Sequence, residues 1–441
     1  MTWDRAMTAS AFQSTTSSVA ILSDDLTGAN AVAAALATAG VRAFTALGPT
    51  PAMSPPDAGV LVVDTATRDV GPDVAAAAVR SAARAVSAWG ARLVAKRIDT
   101  TLRGCIAAET AALLTVLAPE TLALVVPAAP EAGRTCVGGR VFLASRPLAA
   151  VTGGSGEPLR LFAAQARGLA AVGCPLATVR RGAEAVRATF RQAAASGARV
   201  VVCDAETTAD VATLAAAAAA LGRPVLPVDP GGFTLALARA LGLVPGAARP
   251  AAGKGASGDW AHGRHGRILA VLGSPTAITG RQIAVAAARG WLRCVPVDGT
   301  ALVVGGEAAQ QEVARALAAL AALPTSVVGI DPSPRGEQAE PRRVAAVGEG
   351  LAQIVAAAMA SGPRLAGLFL TGGAVARAVL ERLGAHGIWV EGEVLPLAAL
   401  GRLADGPFAG LAVVTKGGMV GGDDALVRCL AALRAAAAIP G

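Results

Sequence analysis

The sequence has no tyrosine, and its aromatic residues make up only 3 % of 441 positions. A stacking surface for single-stranded nucleic acid needs interleaved aromatics, so that class is excluded. Lysine is nearly absent too: Lys96, Lys254 and Lys416 are the only lysines among 39 Lys+Arg. Histidine is confined to His262, His265 and His386, and the first two lie in a Gly-rich stretch. The six cysteines, Cys105, Cys136, Cys174, Cys203, Cys294 and Cys429, are far apart and form no CxxC pair. Structural zinc needs clustered ligands, so no metal site is predicted. The cysteines read as small buried hydrophobes of a reducing compartment, which points to a cytoplasmic protein.

No run of basic residues carries the formal charge of +8. Scattered arginines describe a solvated surface, and no nucleic-acid partner is predicted. The text before Val19 is polar, and apolar runs are broken by Gly, Pro or Arg. Neither a signal peptide nor a membrane partner is predicted. Two phosphate motifs are also missing. "GAARPAAGKG" resembles a Walker A loop, but Gly246 and Gly253 are seven apart and no Ser or Thr follows Lys254. The motif requires a spacing of about five, a preceding strand and a following helix. No G-x-G-x-x-G follows the first strand of either half, which weighs against a dinucleotide.

What is present is a rhythm. "SVAILSDD" is an apolar run ending in acids, followed by the helical "GANAVAAALATAG". "AGVLVVDTATR", "ARLVAKRIDT", "TLALVVPAAP" and "ARVVVCDAET" repeat the form, separated by alanine-rich helices. Continuous Val/Leu/Ile runs alternating with helices predict parallel sheets covered on both faces. The segment from Val244 to Gly266 breaks the rhythm, and alternation resumes at "RILAVLGSPT". The fold class predicted is α/β, with two domains, each a mainly parallel sheet flanked by helices, and an interdomain cleft. The boundaries are 1–245, a linker at 246–266, and 267–441. "DPSPRGEQAEPRR" reads as a surface loop of the second domain.

Ligands of parallel sheets bind at the carboxyl ends of strands. In the first half those ends are polar. "SDDLTGA" brings Ser23, Asp24 and Asp25 to a helix start. One aspartate suffices as an N-cap, so the other is free to act as a base or acceptor. "KRIDTTLRG" offers Lys96, Arg97 and Arg103 as cations, with Asp99, Thr100 and Thr101 as acceptors. Strand alternation puts Lys96 and Ile98 on one face and Arg97 and Asp99 on the other. Ion pairs Arg97–Asp24 or Arg103–Asp99 are the structural alternative to ligand binding. "VPAAPEAGRT" adds Glu131 and Arg134. Three polar strand ends point to a polyhydroxylated anion.

The second half differs. Three units read strand, small residues, helix, with Gly273–Ser274, Gly372–Gly373, and Lys416–Gly417–Gly418 plus Gly421–Gly422 at the turns. Glycines at helix starts let backbone amides meet phosphate. A polar-acid domain beside a polyphosphate domain fits phosphoryl transfer across a cleft.

Together "SDDLTGAN", "KRIDTTLRG", "VVPAAPEAGRT", "GSPTAITGRQI", "LTGGAVARAVLERLG" and "VVTKGGMVGGDDALVRCL" resemble the four-carbon acid sugar kinases, in that family's order and from about Val19 to Leu433. The resemblance implies ATP-dependent phosphorylation of threonate, erythronate or 3-oxo-tetronate, with Mg²⁺ bridging the phosphates. It implies that Asp24, Asp25, Arg97, Asp99 and Arg103 lie at the acid-sugar site and that Ser274, Gly373 and Gly418 touch ATP. A homodimer is a family-level expectation. One departure stands out: after "GGRVFLASRPLAA", "VTGGSGEPLRLFAAQARG" lacks the Asp-Pro segment usual there. The resulting expectation is that Arg97 and Arg103 hold the substrate carboxylate and hydroxyls, supported by Lys96, Thr100 and Arg134. Asp25 is the first choice for the proton acceptor and Asp24 the second. The alternatives are a dinucleotide-dependent acid-sugar dehydrogenase or isomerase, and a non-catalytic acid-sugar binding protein.

Overall fold

Val19–Ser23 (VAILS) and Val60–Asp64 (VLVVD) are buried at every position. A strand covered on both faces has no solvent side, so these segments are unbroken apolar runs rather than alternating ones. The computed structural model describes residues 19–49, 57–245, 266–323, 325–333, 340–361 and 365–438.

In the first half the strands are β1 (Val19–Ser23), β2 (Ala43–Ala46), β3 (Val60–Asp64), β4 (Leu93–Arg97), β5 (Leu122–Val125), β6 (Arg134–Val137), β7 (Arg140–Leu143), β8 (Arg146–Pro147), β9 (Ala171–Cys174), β10 (Val200–Cys203) and β11 (Val225–Asp229). Eight of them lie in the order β2-β3-β1-β4-β11-β5-β10-β9, and β6-β7-β8 form a separate antiparallel sheet. The second half adds β12 (Arg267–Leu272), β13 (Arg293–Asp298), β14 (Val327–Ser333), β15 (Leu365–Thr371), β16 (Gly387–Leu395), β17 (Ala398–Leu403) and β18 (Ala412–Lys416). Their order is β13-β14-β12-β15-β18-β17-β16.

The two sheets are joined. β16 pairs antiparallel with β2, so one 15-stranded sheet runs through both halves. Six strand pairs separate β15 from β1. A right-handed twist of roughly 20–25° per pair accumulates to a turn on the order of 120–150°. That turn brings together carboxyl edges that a flat sheet would hold on opposite sides. The helix Leu26–Thr38 fills the bend, packed on β3 and β2 on one side and on β16 and β17 on the other. Its sequence, LTGANAVAAALAT, is apolar almost all round because nearly all of it is buried. Alanine allows both sheets to approach its backbone closely.

The longest helix, Pro341–Ser361, contains a stretch, Arg342–Ala360, long and apolar enough by length and composition to cross a bilayer. Here it covers the sheet, with Leu351, Ile354 and Val355 fully buried. Of the segment read as a surface loop at 331–343, residues 331–333 end β14 and 341–343 begin this helix, while 334–339 lie outside the described residues. The linker at 246–266, with Lys254, His262 and His265, lies outside the described residues except for Gly266. Among the described residues no disulfide forms, and all the cysteines but Cys294 are buried.

Candidate active site

Three strand ends of the first half are level. Ser23 of β1 pairs in register with Asp64 of β3 on one side and Arg97 of β4 on the other. From β1 the chain runs out to β2 and back to β3 on one side and then crosses to β4 on the other, so the crevice at a topological switch point opens here.

The crevice holds a lattice of acids and arginines. Asp24 is 2 % exposed and takes a two-point fork from Arg68, Nε to Oδ2 at 2.8 Å and Nη2 to Oδ1 at 2.7 Å. Burial alone would raise the Asp24 carboxyl, but Lys96, Arg68 and Arg97 outweigh burial and hold it below the ordinary range. Asp25 caps the helix Leu26–Thr38, its Oδ1 accepting the Gly28 amide at 3.0 Å. The same oxygen meets Arg97 Nη1 at 3.1 Å and Arg68 Nη2 at 2.7 Å. Gly28 is indispensable to this approach, because a Cβ there would lie 2.0 Å from Arg97 Nη1. Asp99 receives Arg103 through Nε at 2.8 Å and Nη2 at 3.2 Å, with Arg68 Nη1 3.9 Å away. Burial opposes ionisation of Asp99, yet Arg103, Arg68 and Arg97 keep its carboxyl well below the usual carboxylate range.

Lys96 faces away from this lattice. It is 1 % exposed, pairs with Glu109 Oε2 at 2.6 Å and donates to the Arg97 carbonyl at 2.9 Å. Glu109 in turn accepts the hydroxyl of Thr67. Counting partners, Arg68, Arg97, Arg103 and Lys96 are matched by Asp24, Asp25, Asp99 and Glu109. Arg134 is the surplus cation. It has no carboxylate partner among the described residues, and its buried Nε has no hydrogen-bond partner. Burial lowers the Arg134 pKa, and Asp99 is near enough to oppose that shift. A cluster with one unmatched positive charge suits a monoanion.

In the second half the turns after β12, β15 and β18 are level too, with Leu272 beside Thr371 and Thr371 beside Lys416. Gly372, at φ 95, adopts a backbone conformation that side chains rarely take, and it packs in van der Waals contact with Gly273 and Ser274. A Cβ on Gly418 would lie 2.0 Å from Ser274 Oγ. The loop at 417–422 is pinned by the helix after β12, Ala277–Ala288, and its cap Thr276. The hydroxyls of Thr276 and Thr279 donate to the Gly418 carbonyl at 2.7 and 3.0 Å. Gln282 Nε2 donates to the carbonyls of Val420, Gly421 and Gly422 at 2.9, 3.3 and 2.9 Å. In a trans peptide the amide of the next residue points opposite to the carbonyl. The amides of Met419, Gly421 and Gly422 therefore face away from the helix, as a phosphate cradle requires. Lys416 is 1 % exposed with no carboxylate partner among the described residues, and donates to the carbonyls of Gly417 and Val420 at 2.8 and 3.3 Å. Burial pushes its pKa down to about 8, with Cys429 opposing the shift. A buried, unmatched lysine beneath a glycine loop, with its amides turned outward, fits a polyphosphate.

The two sites meet. A Cβ on Gly373 would come within 3.1 Å of both Asp25 Oδ2 and Thr27 Oγ1, and Thr27 also lies against Gly417. Asn30 of the same helix donates to Thr415 of β18 at 3.0 Å.

A sugar-binding N-terminal domain family matches residues 19–237, and a nucleotide-binding C-terminal domain family matches 269–426. The chain is 35 % identical to a D-erythronate kinase of Heliobacterium modesticaldum, covering 94 % of this chain and 96 % of that one. It is 35 % identical to a D-threonate kinase of Cupriavidus necator, with 92 % and 95 % covered. The chain belongs to the four-carbon acid sugar kinase family. A solved structure from Salmonella typhimurium LT2, named as a tRNA synthase, superposes with a TM-score of 0.74 over 93 % of this chain and 98 % of that one. At 20 % identity, that likeness is one of fold alone.

For this kinase, the structure brings Asp24, Asp25, Arg97, Asp99 and Arg103 into one lattice, with Thr100 buried beside it and Arg134 at its margin. Both ion pairs weighed from the sequence are present: Arg103–Asp99, and Arg97–Asp24 at 3.8 Å. Ser274, Gly372, Gly373, Lys416, Gly417, Gly418 and Gly421 line the second set of turns. Lys96 is in the acid half but is occupied by Glu109. The sequence reading missed Arg68, which touches Asp24 and Asp25 and lies near Asp99. It also missed Glu109, Thr276, Thr279 and Gln282. Arg68 did carry a signal, because it stands in the polar end of the second apolar run, "VVDTATR". The atypical segment after Ala150 forms the helix Pro158–Gln165. Through Gln165 it holds the Ala107 amide at 3.1 Å and the Gly104 carbonyl at 3.4 Å, bracing the turn after Arg103.

Proposed function

We propose that this kinase transfers the γ-phosphoryl group of ATP to the terminal hydroxyl of a four-carbon acid sugar, giving the 4-phosphate. Threonate, erythronate and 3-oxo-tetronate are the candidate acids. Residues 1–245 serve as the acid-sugar domain and 267–441 as the nucleotide domain, joined by 246–266. The observation that carries the reading is Asp25: one carboxylate oxygen caps a helix and meets two arginines, while Oδ2 faces Gly373 of the nucleotide half.

Arg134, the unmatched cation, receives the substrate carboxylate. Arg103, whose side chain is half exposed, exchanges part of its fork on Asp99 for a substrate oxygen. Arg97 and Arg68 are tied to the acids, so they orient Asp25 rather than carry the substrate. Asp25 Oδ2 accepts the hydroxyl proton as the alcohol attacks; Asp24, saturated by Arg68, holds the lattice in place. Phosphoryl transfer is mostly positioning and charge neutralisation, so an oriented acceptor suffices. The loop amides and Lys416 hold the polyphosphate, and ATP supplies the transferred group. Mg²⁺, if it accompanies the nucleotide, would neutralise phosphate charge and, largely hydrated, would need few protein ligands. The setting is the cytoplasm, where ATP is available.

The test is product analysis. Phosphorus NMR of the product is expected to show a phosphomonoester coupled to the two protons of a primary carbon. A phosphate on another carbon, or ADP released equally without any acid, contradicts the reading.

A further inference from the structure

One buried carboxylate is shared between the two halves of the molecule. Asp64 closes β3 and is fully buried. Its Oδ2 accepts Arg377 Nη1 at 2.8 Å, and its carbonyl takes the same nitrogen at 3.4 Å. Arg377 lies one turn into the helix Gly373–Arg382, whose first residue faces Asp25, and it is braced by Glu381 at 2.7 Å. Burial pushes the Asp64 carboxyl up to about 6 while Arg377 pulls it down, so the pair is ionic at neutral pH.

The other oxygen of Asp64 points to the acid site. Oδ1 accepts the Ala66 amide at 3.0 Å. Ala66 is left-handed, at φ 52. A non-glycine residue there is strained and persists only where its surroundings over-determine it. The rest of the turn is fixed as well. The Thr65 amide and hydroxyl both donate to the Ser23 carbonyl, at 2.8 and 2.9 Å. The amides of Thr67 and Arg68 donate to the Asp24 carbonyl at 3.0 and 3.2 Å. The turn ends at Arg68, the arginine that grips Asp24 and Asp25.

We infer that Asp64 and Arg377 are positioning residues that couple the nucleotide helix to Arg68. A shift of the helix Gly373–Arg382 on nucleotide binding passes through Asp64 to the strained Ala66 turn. It thereby sets the arginine that orients both aspartates. This rests on the functional reading above: nucleotide at Gly373 is expected to tighten acid-sugar binding, and Arg377 carries that effect.

The experiment is calorimetry with the full chain. The affinity for the acid the enzyme turns over is measured with and without a non-hydrolysable ATP analogue and Mg²⁺. In the wild type the analogue is expected to tighten acid binding about tenfold, within the usual range for coupled sites. In Arg377→Met the factor falls to about one, while the affinity for each ligand alone stays within about threefold. Arg377→Lys, which keeps the charge but cannot bridge Asp64 and Glu381 at once, recovers part of the factor. A wild type without coupling, or an Arg377→Met variant that keeps it, overturns the inference. Should Arg377→Met fail to fold, Ala66→Gly relaxes the turn without touching the interface. Coupling undiminished in that variant also overturns it. If none of threonate, erythronate and the oxo-tetronates binds, it is the functional reading that fails. The coupling is then read by hydrogen exchange of the Thr65–Arg68 amides. Protection that rises with nucleotide in the wild type but not in Arg377→Met supports it, and equal protection in both contradicts it.

Discussion

Asp25 of the first half lies against Gly373 of the second, where a Cβ would come within 3.1 Å of its Oδ2. This single approach puts a proton acceptor beside the first turn of a nucleotide helix. Asp25→Asn keeps the shape but removes the charge. It is expected to lower turnover about 10²–10⁴-fold, the usual contribution of a general base. The KM for ATP is expected to change only a few-fold, because the loop at 417–422 is pinned by Thr276, Thr279 and Gln282 instead. Steady-state kinetics in both substrates check this.

Gly28 makes a sharper probe. In a helix interior, alanine is favoured over glycine by about 1 kcal/mol. Yet a Cβ at Gly28 would lie 2.0 Å from Arg97 Nη1 and 2.6 Å from Asp25 Oδ1. Gly28→Ala is therefore expected to push Arg97 off Asp25, so that any gain in helix propensity is offset by the broken buried ion pair, and to lose turnover at least tenfold. A melting curve and a rate measured on one preparation decide the matter; a fully active variant means that Arg97 does not set Asp25.

The buried pair Lys96–Glu109 is expected to behave as structure. Lys96→Met leaves Glu109 buried and unmatched, a loss on the order of 3–5 kcal/mol. The double variant Lys96→Met/Glu109→Leu removes both charges and is expected to recover most of that stability. Denaturant midpoints measure the recovery. A double variant no more stable than Lys96→Met means that the two residues do not act as a pair.

Lys416 links nucleotide binding to pH. Burial depresses its pKa to about 8. A lysine depressed in the folded protein is charged below that pKa and neutral above it. The folded state bears the charge reluctantly, so its stabilising contribution is full above the unfolded value and is lost as pH falls through about 8. Nucleotide affinity runs the other way, since phosphate needs the charge. The KM for ATP is expected to rise as pH passes above 8 in the wild type. It stays low at high pH in Lys416→Arg and is uniformly high in Lys416→Met. A wild-type KM flat from pH 7 to 9.5 contradicts this role.

The sequence made the layout legible because apolar runs and glycine turns are local signals. "VAILSDD" announces a covered strand with acids at its carboxyl end, and "LTGGAVARAV" a strand opening into a helix. Register and partner choice are not local. Nothing in "AFTA" or "GIWVEGEVL" says that β2 and β16 pair and merge the two sheets. Alternation separated Lys96 from Arg97 but could not name Glu109, thirteen positions on in a helix, as the partner. Arg68 escaped because its approach to Asp24 depends on a left-handed alanine, a conformation that composition does not reveal.

The most direct test of the whole account is ATP-dependent ADP release over D- and L-threonate, D- and L-erythronate, and the 2-oxo- and 3-oxo-tetronates, with Asp25→Ala alongside. The expected result is turnover of at least one of these acids that Asp25→Ala abolishes while still binding ATP. Turnover undiminished in Asp25→Ala, or silence across the panel from a wild type that binds ATP, would contradict the account.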